Sequence, residues 1–370
     1  MDCLHFTSGA CRSCALMGTP HAEQVAAKER AVRELLPGTI DWLPSVTGPE
    51  SGFRNKAKMV VSGSVESPVL GILDRSGAGV DLRDCGLYPP ELSDSFGPLA
   101  RFVALAGLTP YDVRRRRGEL KYLLITLAPD GALMVRFVLR STEAVLRIRK
   151  HLPTLLQWLP RAAVVSVNLQ PEHKAVLEGE RELLLHGESL TMRVNDLDLH
   201  LRPQSFFQTN TDVAAALYRQ VRDWVDDAGP GEVWDLYCGV GGFALHCAAP
   251  GRRLIGVEVS PEAVASARRS AEPLPGELAF VAADATRWAL DRDDTADVVV
   301  VNPPRRGIGT DLAGWLESSA VPTVVYSSCN ATTLARDLAS MPSLRPQRAR
   351  LLDMFPQTEH YEVAVLLQRT

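Results

Sequence analysis

A chain of 370 residues exceeds one ordinary domain, so two or three folded units are expected. With 46% hydrophobic and 23% charged residues, a formal net charge of -4 and an isoelectric point near 6.1, the composition is that of an ordinary globular protein. It excludes a global basic field for nucleic acid, so any RNA contact must rest on local patches and shape. The acidic start Met1-Asp2-Cys3 leads into no apolar signal, and no apolar run reaches about 18 residues. No membrane span is expected, and the cytoplasm is the expected location.

In chain order, the first 20 or so residues are rich in Cys, Gly and Ser and read as a loop ordered by something other than a core. Residues 23–36 have helical character, stopped by Pro37-Gly38. From about 45 to 204 the pattern is mostly strand-like, with strands at 58–62 and 69–73. Strands at 120–127 and 133–139 flank Pro129-Asp130-Gly131, a good hairpin turn. Helical stretches near 92–106 and 142–159 make this an α+β domain rich in antiparallel strands. From about 212, short apolar strands (233–237, 254–257, 278–281, 297–301, 323–326) alternate with helical segments. That alternation predicts an α/β unit with a mostly parallel sheet and helices on both faces. The last strands, 348–352 and 361–367, leave no room for a helix between them and are expected to close the sheet antiparallel. The expected division is a cysteine segment over 1–40 (with Cys85), an RNA-binding domain over 41–205 and a catalytic domain over 206–370.

The chemistry gathers where the predicted parallel strands end. Asp235-Leu236-Tyr237-Cys238-Gly239-Val240-Gly241-Gly242-Phe243 is a strand entering a glycine-rich turn, which lets a ligand approach the backbone closely. Gly-x-Gly-Gly is not the full dinucleotide fingerprint, and alone it equally describes a tight turn. Glu258 ends the next strand, where an acid can grip ribose hydroxyls, and Asp284 follows the third, where an adenine would lie. No lysine or arginine at the turn awaits a phosphate. S-adenosylmethionine, which has ribose and adenine but no phosphate, fits; NAD is the competing reading.

Asn302-Pro303-Pro304-Arg305-Arg306-Gly307 follows a buried valine strand, and its prolines fix a rigid loop at the strand's carboxyl end. Tyr326-Ser327-Ser328-Cys329-Asn330 precedes a helix predicted over 331–339, with Asn330 as its N-cap. A helix N-terminus favours thiolate, so the pKa of Cys329 is expected to be lowered. Most lone cysteines are core residues, and Cys238 and Cys247 read that way. Cys329 differs by its polar loop beside the cofactor crevice. The four remaining cysteines, Cys3, Cys11, Cys14 and Cys85, suit a tetrahedral zinc or a [4Fe-4S] cluster, and spacing alone does not choose. Basic residues stand at Arg54, Lys56 and Lys58 and at 114–117 followed by Lys121. Charge runs are usually solvated faces, but two in one β-rich domain favour phosphate contacts. Phe206 or Phe207 would offer a ring for base stacking, although adjacent phenylalanines are more often core.

Together these motifs, with Ser205-Phe206-Phe207-Gln208-Thr209-Asn210 and Gly52-Phe53-Arg54-Asn55-Lys56-Ala57-Lys58, resemble the RNA uracil-C5 methyltransferase family over essentially the whole chain. Cysteines without the oligonucleotide-binding barrel of larger relatives resemble the short members that act on 23S ribosomal RNA at uracil 747. The resemblance implies a class I methyltransferase fold, Cys329 as covalent nucleophile and Glu362 as general base. It also implies that Gln208, Tyr237, Glu258 and Asn302 contact S-adenosylmethionine, and that Cys3, Cys11, Cys14 and Cys85 hold a [4Fe-4S] cluster. Without it, Glu362 would read as an exposed strand carboxylate. Many relatives carry Asp where this chain has Asn302, so an Asp-dependent contact is not expected. The expected partner is 23S ribosomal RNA, with neither DNA nor membrane. The competing functions are tRNA uracil-C5 methylation and a non-enzymatic RNA-binding iron-sulfur protein.

Overall fold

The computed structural model describes residues 1–36, 38–174 and 176–370. The chain divides into two compact units. One comprises Met1–Met17, Glu50–Met192 and Arg202–Gln204; the other comprises Gly18–Pro49, Arg193–Leu201 and Ser205–Thr370.

The first unit is built on a seven-stranded sheet in the order Gly79–Asp81, Pro68–Leu73, Lys56–Gly63, Leu120–Leu127, Leu133–Leu139, Ala162–Leu169, Arg181–His186. All neighbours are antiparallel except Leu133–Leu139 with Ala162–Leu169. That parallel pair needs a crossover, supplied by the helix Val145–Trp158. One sheet face (Met59, Val61, Ile125, Val135, Phe137, Val167) packs on Phe96, Leu99 and Phe102 of the helix Phe96–Leu105 and on Ile148 and Leu155. The turn at Pro129-Asp130-Gly131 forms as the residues dictate. Asp130 accepts the Ala132 N–H at 2.9 Å, and Gly131 takes the left-handed φ of +86°.

The second unit holds one eight-stranded sheet: β1 Asp41–Trp42, β2 Glu232–Leu236, β3 Arg253–Glu258, β4 Glu277–Ala282, β5 Val298–Val301, β6 Thr323–Ser328, β7 Leu344–Leu352 and β8 Glu362–Arg369. Its order is β1-β7-β8-β6-β5-β2-β3-β4. The run β6-β5-β2-β3-β4 is parallel, and β8 is antiparallel to both β6 and β7. Strand β5 is four buried valines, the continuous apolar run of a strand covered on both faces. Its helices are α1 His21–Leu35, α2 Thr211–Ala228, α3 Gly242–His246, α4 Pro261–Ala271, α5 Ala285–Leu290, α6 Gly309–Ser318 and α7 Ala331–Ala339. Local sequence starts them. Asn210 caps α2 on the Val213 N–H, Ser260 caps α4 ahead of Pro261, and Asp284 caps α5. Gly229 at φ +61° ends α2.

The helix expected at 23–36 spans α1; of its expected Pro37-Gly38 stop, Pro37 lies outside the described residues. Residues 18–49, expected partly with the cysteine segment and partly with the RNA-binding domain, belong to the second unit. The reason is packing: Val25, Val32 and Leu36 enter that unit's core, and β1 pairs with β7. Among the described residues no helix is long and apolar enough to cross a membrane.

Candidate active site

The glycine turn follows β2 at the carboxyl ends of the parallel strands, where open α/β sheets bind ligands. Tyr237, Gly239 and Gly241 all take positive φ (+67°, +55° and +84°), which curls the backbone back over the strand ends. A β-carbon on Gly242 would stand 2.6 Å from the Tyr218 ring and hydroxyl, so the third glycine is a close-packing requirement. Glu258, at the end of β3, braces the turn: one carboxylate oxygen accepts the Gly239 N–H at 3.2 Å and the other the Ser260 N–H at 2.9 Å. Asp235 lies beneath, fully buried. One oxygen accepts the Ala244 N–H at 2.9 Å, and the other has no hydrogen-bond partner among the described residues. Burial pushes its carboxyl up to about 8 against that N–H, with the charge of Glu258 adding to the rise.

Leu236 pairs with Val301, so Asn302 leaves the sheet level with Tyr237. The Asn-Pro-Pro-Arg loop then docks on α7. Asn330 Nδ2 and Thr333 Oγ1 donate to the Arg305 carbonyl at 3.2 and 3.1 Å, and Arg336 donates to the Arg306 carbonyl at 2.6 Å. The buried Asp337 carboxylate accepts the Ile308 N–H and the Tyr326 hydroxyl at 2.9 and 2.8 Å. Beside this loop opens a cavity of about 340 Å³ lined by Tyr237, Asp284, Thr286, Ile308 and Asp337 among others. Glu258, Asn302 and Gln208 do not line it. Gln208 is buried in the segment leading to α2.

Cys329 and Glu362 face each other. Ser328 pairs with Val363 between β6 and β8, and one further step sets Cys329 opposite Glu362. Glu362 is 2% exposed, and the Ser327 hydroxyl donates to it at 2.6 Å. Burial pushes its carboxyl up to about 7, against the pull of that hydrogen bond. The structure corrects the expected lowering of the Cys329 pKa. Burial and the charge of Glu362 raise it, while Arg305, which hydrogen-bonds the thiol, pulls it down. The helix offers little help because Asn330 accepts the Thr332 and Thr333 N–H groups and keeps Cys329 outside the cap. Sequence reasoning missed Ser327, Tyr218 and Asp337. A serine at a strand position that should read apolar was the one available signal for Ser327.

In the first unit, Cys3, Cys11, Cys14 and Cys85 line one cavity of about 180 Å³ together with Arg54 and Tyr88. Burial, then the three other thiols, push Cys14 up to about 11, with Arg54 opposing. Among the described residues, however, no group of three or more His, Cys, Asp or Glu forms a site able to hold a metal ion. Of the basic residues, Lys58 and residues 114–117 are exposed. Lys121 is not part of that exposed patch: it is buried and donates to the Gln170 side chain and the Glu172 carbonyl. Phe206 is 68% exposed and Phe207 buried.

The sheet order, with a glycine turn after β2 and an acid ending β3, defines a class I, Rossmann-like methyltransferase fold. Residues 233–305 match a general methyltransferase domain model, and residues 289–370 match the family described as tRNA (Uracil-5-)-methyltransferase. The 23S rRNA (uracil(747)-C(5))-methyltransferases of Escherichia coli O17:K52:H18 and Shigella boydii serotype 4 are each 50% identical to the chain, over 99% of both sequences. The chain therefore belongs to the RNA uracil-C5 methyltransferase family. Among solved structures, the tRNA (uracil-54, C5)-methyltransferase of Pyrococcus abyssi, in complex with S-adenosyl-L-homocysteine, superposes with a TM-score of 0.79 at 25% identity. That match covers 96% of this chain and 85% of the other.

Proposed function

We propose that the protein transfers a methyl group from S-adenosylmethionine to C5 of uracil 747 in 23S ribosomal RNA, acting in the cytoplasm. The observation that carries the reaction is the cross-strand pair of Cys329 and Glu362 at the strand ends that also hold the glycine turn. The 50% identity to two ribosomal enzymes over nearly their full length supports the substrate.

Uracil C5 is a poor nucleophile. The Cys329 thiolate adds to C6, and the electron pair displaced onto C5 and O4 makes C5 nucleophilic. S-adenosylmethionine supplies the electrophilic methyl. Glu362 then takes the C5 proton, the C5–C6 double bond re-forms, and the Cys329 thiolate leaves. Arg305 favours the thiolate through its charge and hydrogen bond. The turn suits a cofactor with ribose and no phosphate: Glu258 offers acceptors, and no Lys or Arg stands within the Gly239–Gly242 turn. Gln208, Tyr237, Glu258 and Asn302 would hold it. The uracil must leave its stack to reach Cys329, and the exposed Lys58 and the arginines at 114–117 would carry phosphates.

Cys3, Cys11, Cys14 and Cys85 would hold a [4Fe-4S] cluster. Four soft thiols match it in donor type and number, and they line one cavity with a cation beside them, though among the described residues they are not drawn together as a metal site. The cluster would fasten residues 1–17 to the loop at Cys85 and takes no part in the transfer.

The deciding experiment follows methyl transfer from labelled S-adenosylmethionine to unmodified 23S rRNA and to tRNA, with wild type and Cys329→Ala. Label on rRNA uracil C5 that is lost in the variant is expected. Label on tRNA alone would keep the chemistry and overturn the substrate, and no label on either would overturn the enzyme.

A further inference from the structure

Cys329 and Glu362 do not stand alone on their sheet face. In the β6–β8 register Ser327 pairs with Ala364 and Ser328 with Val363. Residues two apart on a strand share a face, so Ser327, Cys329, Ala364 and Glu362 point the same way. Ser327 is thus the diagonal neighbour of Glu362, and its Oγ donates to Oε1 at 2.6 Å. Both residues are buried, Ser327 completely. Among the described residues no other hydrogen bond reaches the Glu362 carboxylate. One oxygen is thereby committed to the hydroxyl and the other is left for the cleft. A serine with no accessible surface, following Thr323, Val324, Val325 and Tyr326 in its strand, needs a partner, and Glu362 is that partner.

We infer that Ser327 is a positioning residue of the reaction: its hydroxyl holds Oε1 of Glu362 so that Oε2 faces the C5–H bond of the adduct. This rests on the reading of Glu362 as the base. In the assisted step the C5 proton passes to Oε2, the C5–H electron pair forms the C5–C6 double bond, and the C6–S pair returns to Cys329 as thiolate. A freely rotating carboxylate would present either oxygen at varying angles, and proton transfer depends steeply on alignment. The hydroxyl also favours the ionised carboxylate, in opposition to burial. The titratable groups that feel the Glu362 charge are Cys329 across the strand end and Tyr218 on α2; beyond them, Arg305 acts on Cys329. None of these donates a hydrogen bond to the carboxylate, so the loss of Ser327 is not made good by a neighbour.

The test is the covalent protein–RNA adduct, read on denaturing gels, alongside the pH profile of turnover. Glu362→Gln should accumulate the methylated adduct on unmodified 23S rRNA, because adduct formation and methyl transfer precede the base. Ser327→Ala should also accumulate it, turn over about tenfold more slowly at pH 7, and recover as pH rises, since the acid limb of its profile moves up. Adduct trapping on 5-fluorouridine RNA, which needs no proton abstraction, should proceed at the wild-type rate. The shape-matched pair Ser327→Thr and Ser327→Val isolates the hydroxyl and serves even where the alanine variant fails to fold: threonine should behave as wild type and valine as alanine. Glu362→Gln accumulation with a wild-type pH profile and no adduct in the alanine and valine variants would overturn the role of Ser327. No accumulation in Glu362→Gln would instead overturn Glu362 as the base.

Discussion

Glu362 meets opposing demands. A carboxyl that is 2% exposed and bound by a single hydroxyl resists ionisation, yet a general base must be ionised. Its folded value of about 7 lies above the ordinary 4.5, so the stability it contributes is fully present below pH 4.5 and is lost as pH rises through about 7. Glu362→Gln should therefore stabilise the protein at pH 8, by up to about 3 kcal/mol, and leave it nearly unchanged at pH 4. Equal melting temperatures at pH 8 would refute this. Activity should fall as pH drops through about 7, with the break belonging to the coupled Cys329–Glu362 pair. At this scale the sequence was informative about which residue types meet. Cys329 stood out by its polar loop, and Asn330 caps α7 as its side chain dictates. The direction of the Cys329 pKa was not legible, because burial and the charge of Glu362 arise from a strand pairing and not from the local helix end.

Among the elements, α3 is short and begins at a turn with no spare volume. Tyr218 is buried, stacked on His246 with ring centroids 4.8 Å apart, and cannot swing away from Gly242. Gly242→Ala should cost about 1–3 kcal/mol by overpacking and also weaken S-adenosylmethionine binding. Calorimetric titration together with thermal melting checks both, and a variant that melts and binds like wild type would sink the argument. Helix α1 governs the segment ahead of Glu362. Lys28 Nζ and His21 Nε2 each reach the fully buried Asp353 at 2.6 Å, Lys28 also donates to the Phe355 carbonyl, and Gln24 and Gln357 bond reciprocally. Lys28→Ala leaves that carboxylate without its nearest cation and should cost about 3–5 kcal/mol, measurable by denaturant unfolding. The helicity of α1 was legible in its composition. Its docking was not, because the partners stand 325 residues apart and no local pattern joins them.

Across the molecule, the alternation of apolar strands and helices after residue 212 was enough to reveal the parallel sheet, and the closing antiparallel strands followed from the missing helix. The assignment of residues 18–49 to the catalytic unit was hidden, since β1 is two residues long and its partner β7 lies far along the chain. The four cysteines behave in the opposite way: their gathering was legible from their number, while the dimensions of the cavity they line belong to the fold. Anaerobically purified wild type should carry iron and inorganic sulfide, and Cys85→Ser should lose most of both while its far-ultraviolet circular dichroism persists. Wild type free of iron after anaerobic reconstitution would refute the cluster.

The pairing of Asp41 and Trp42 with Arg348 and Ala349 imposes an order on biosynthesis. A nascent chain emerging from the ribosome releases β1 early and must keep it unpaired until β7 is translated. The edge of the catalytic sheet is then sealed by an early and a late segment of the chain together, and a translation product that stalls before β7 has no completed sheet on which to align Cys329.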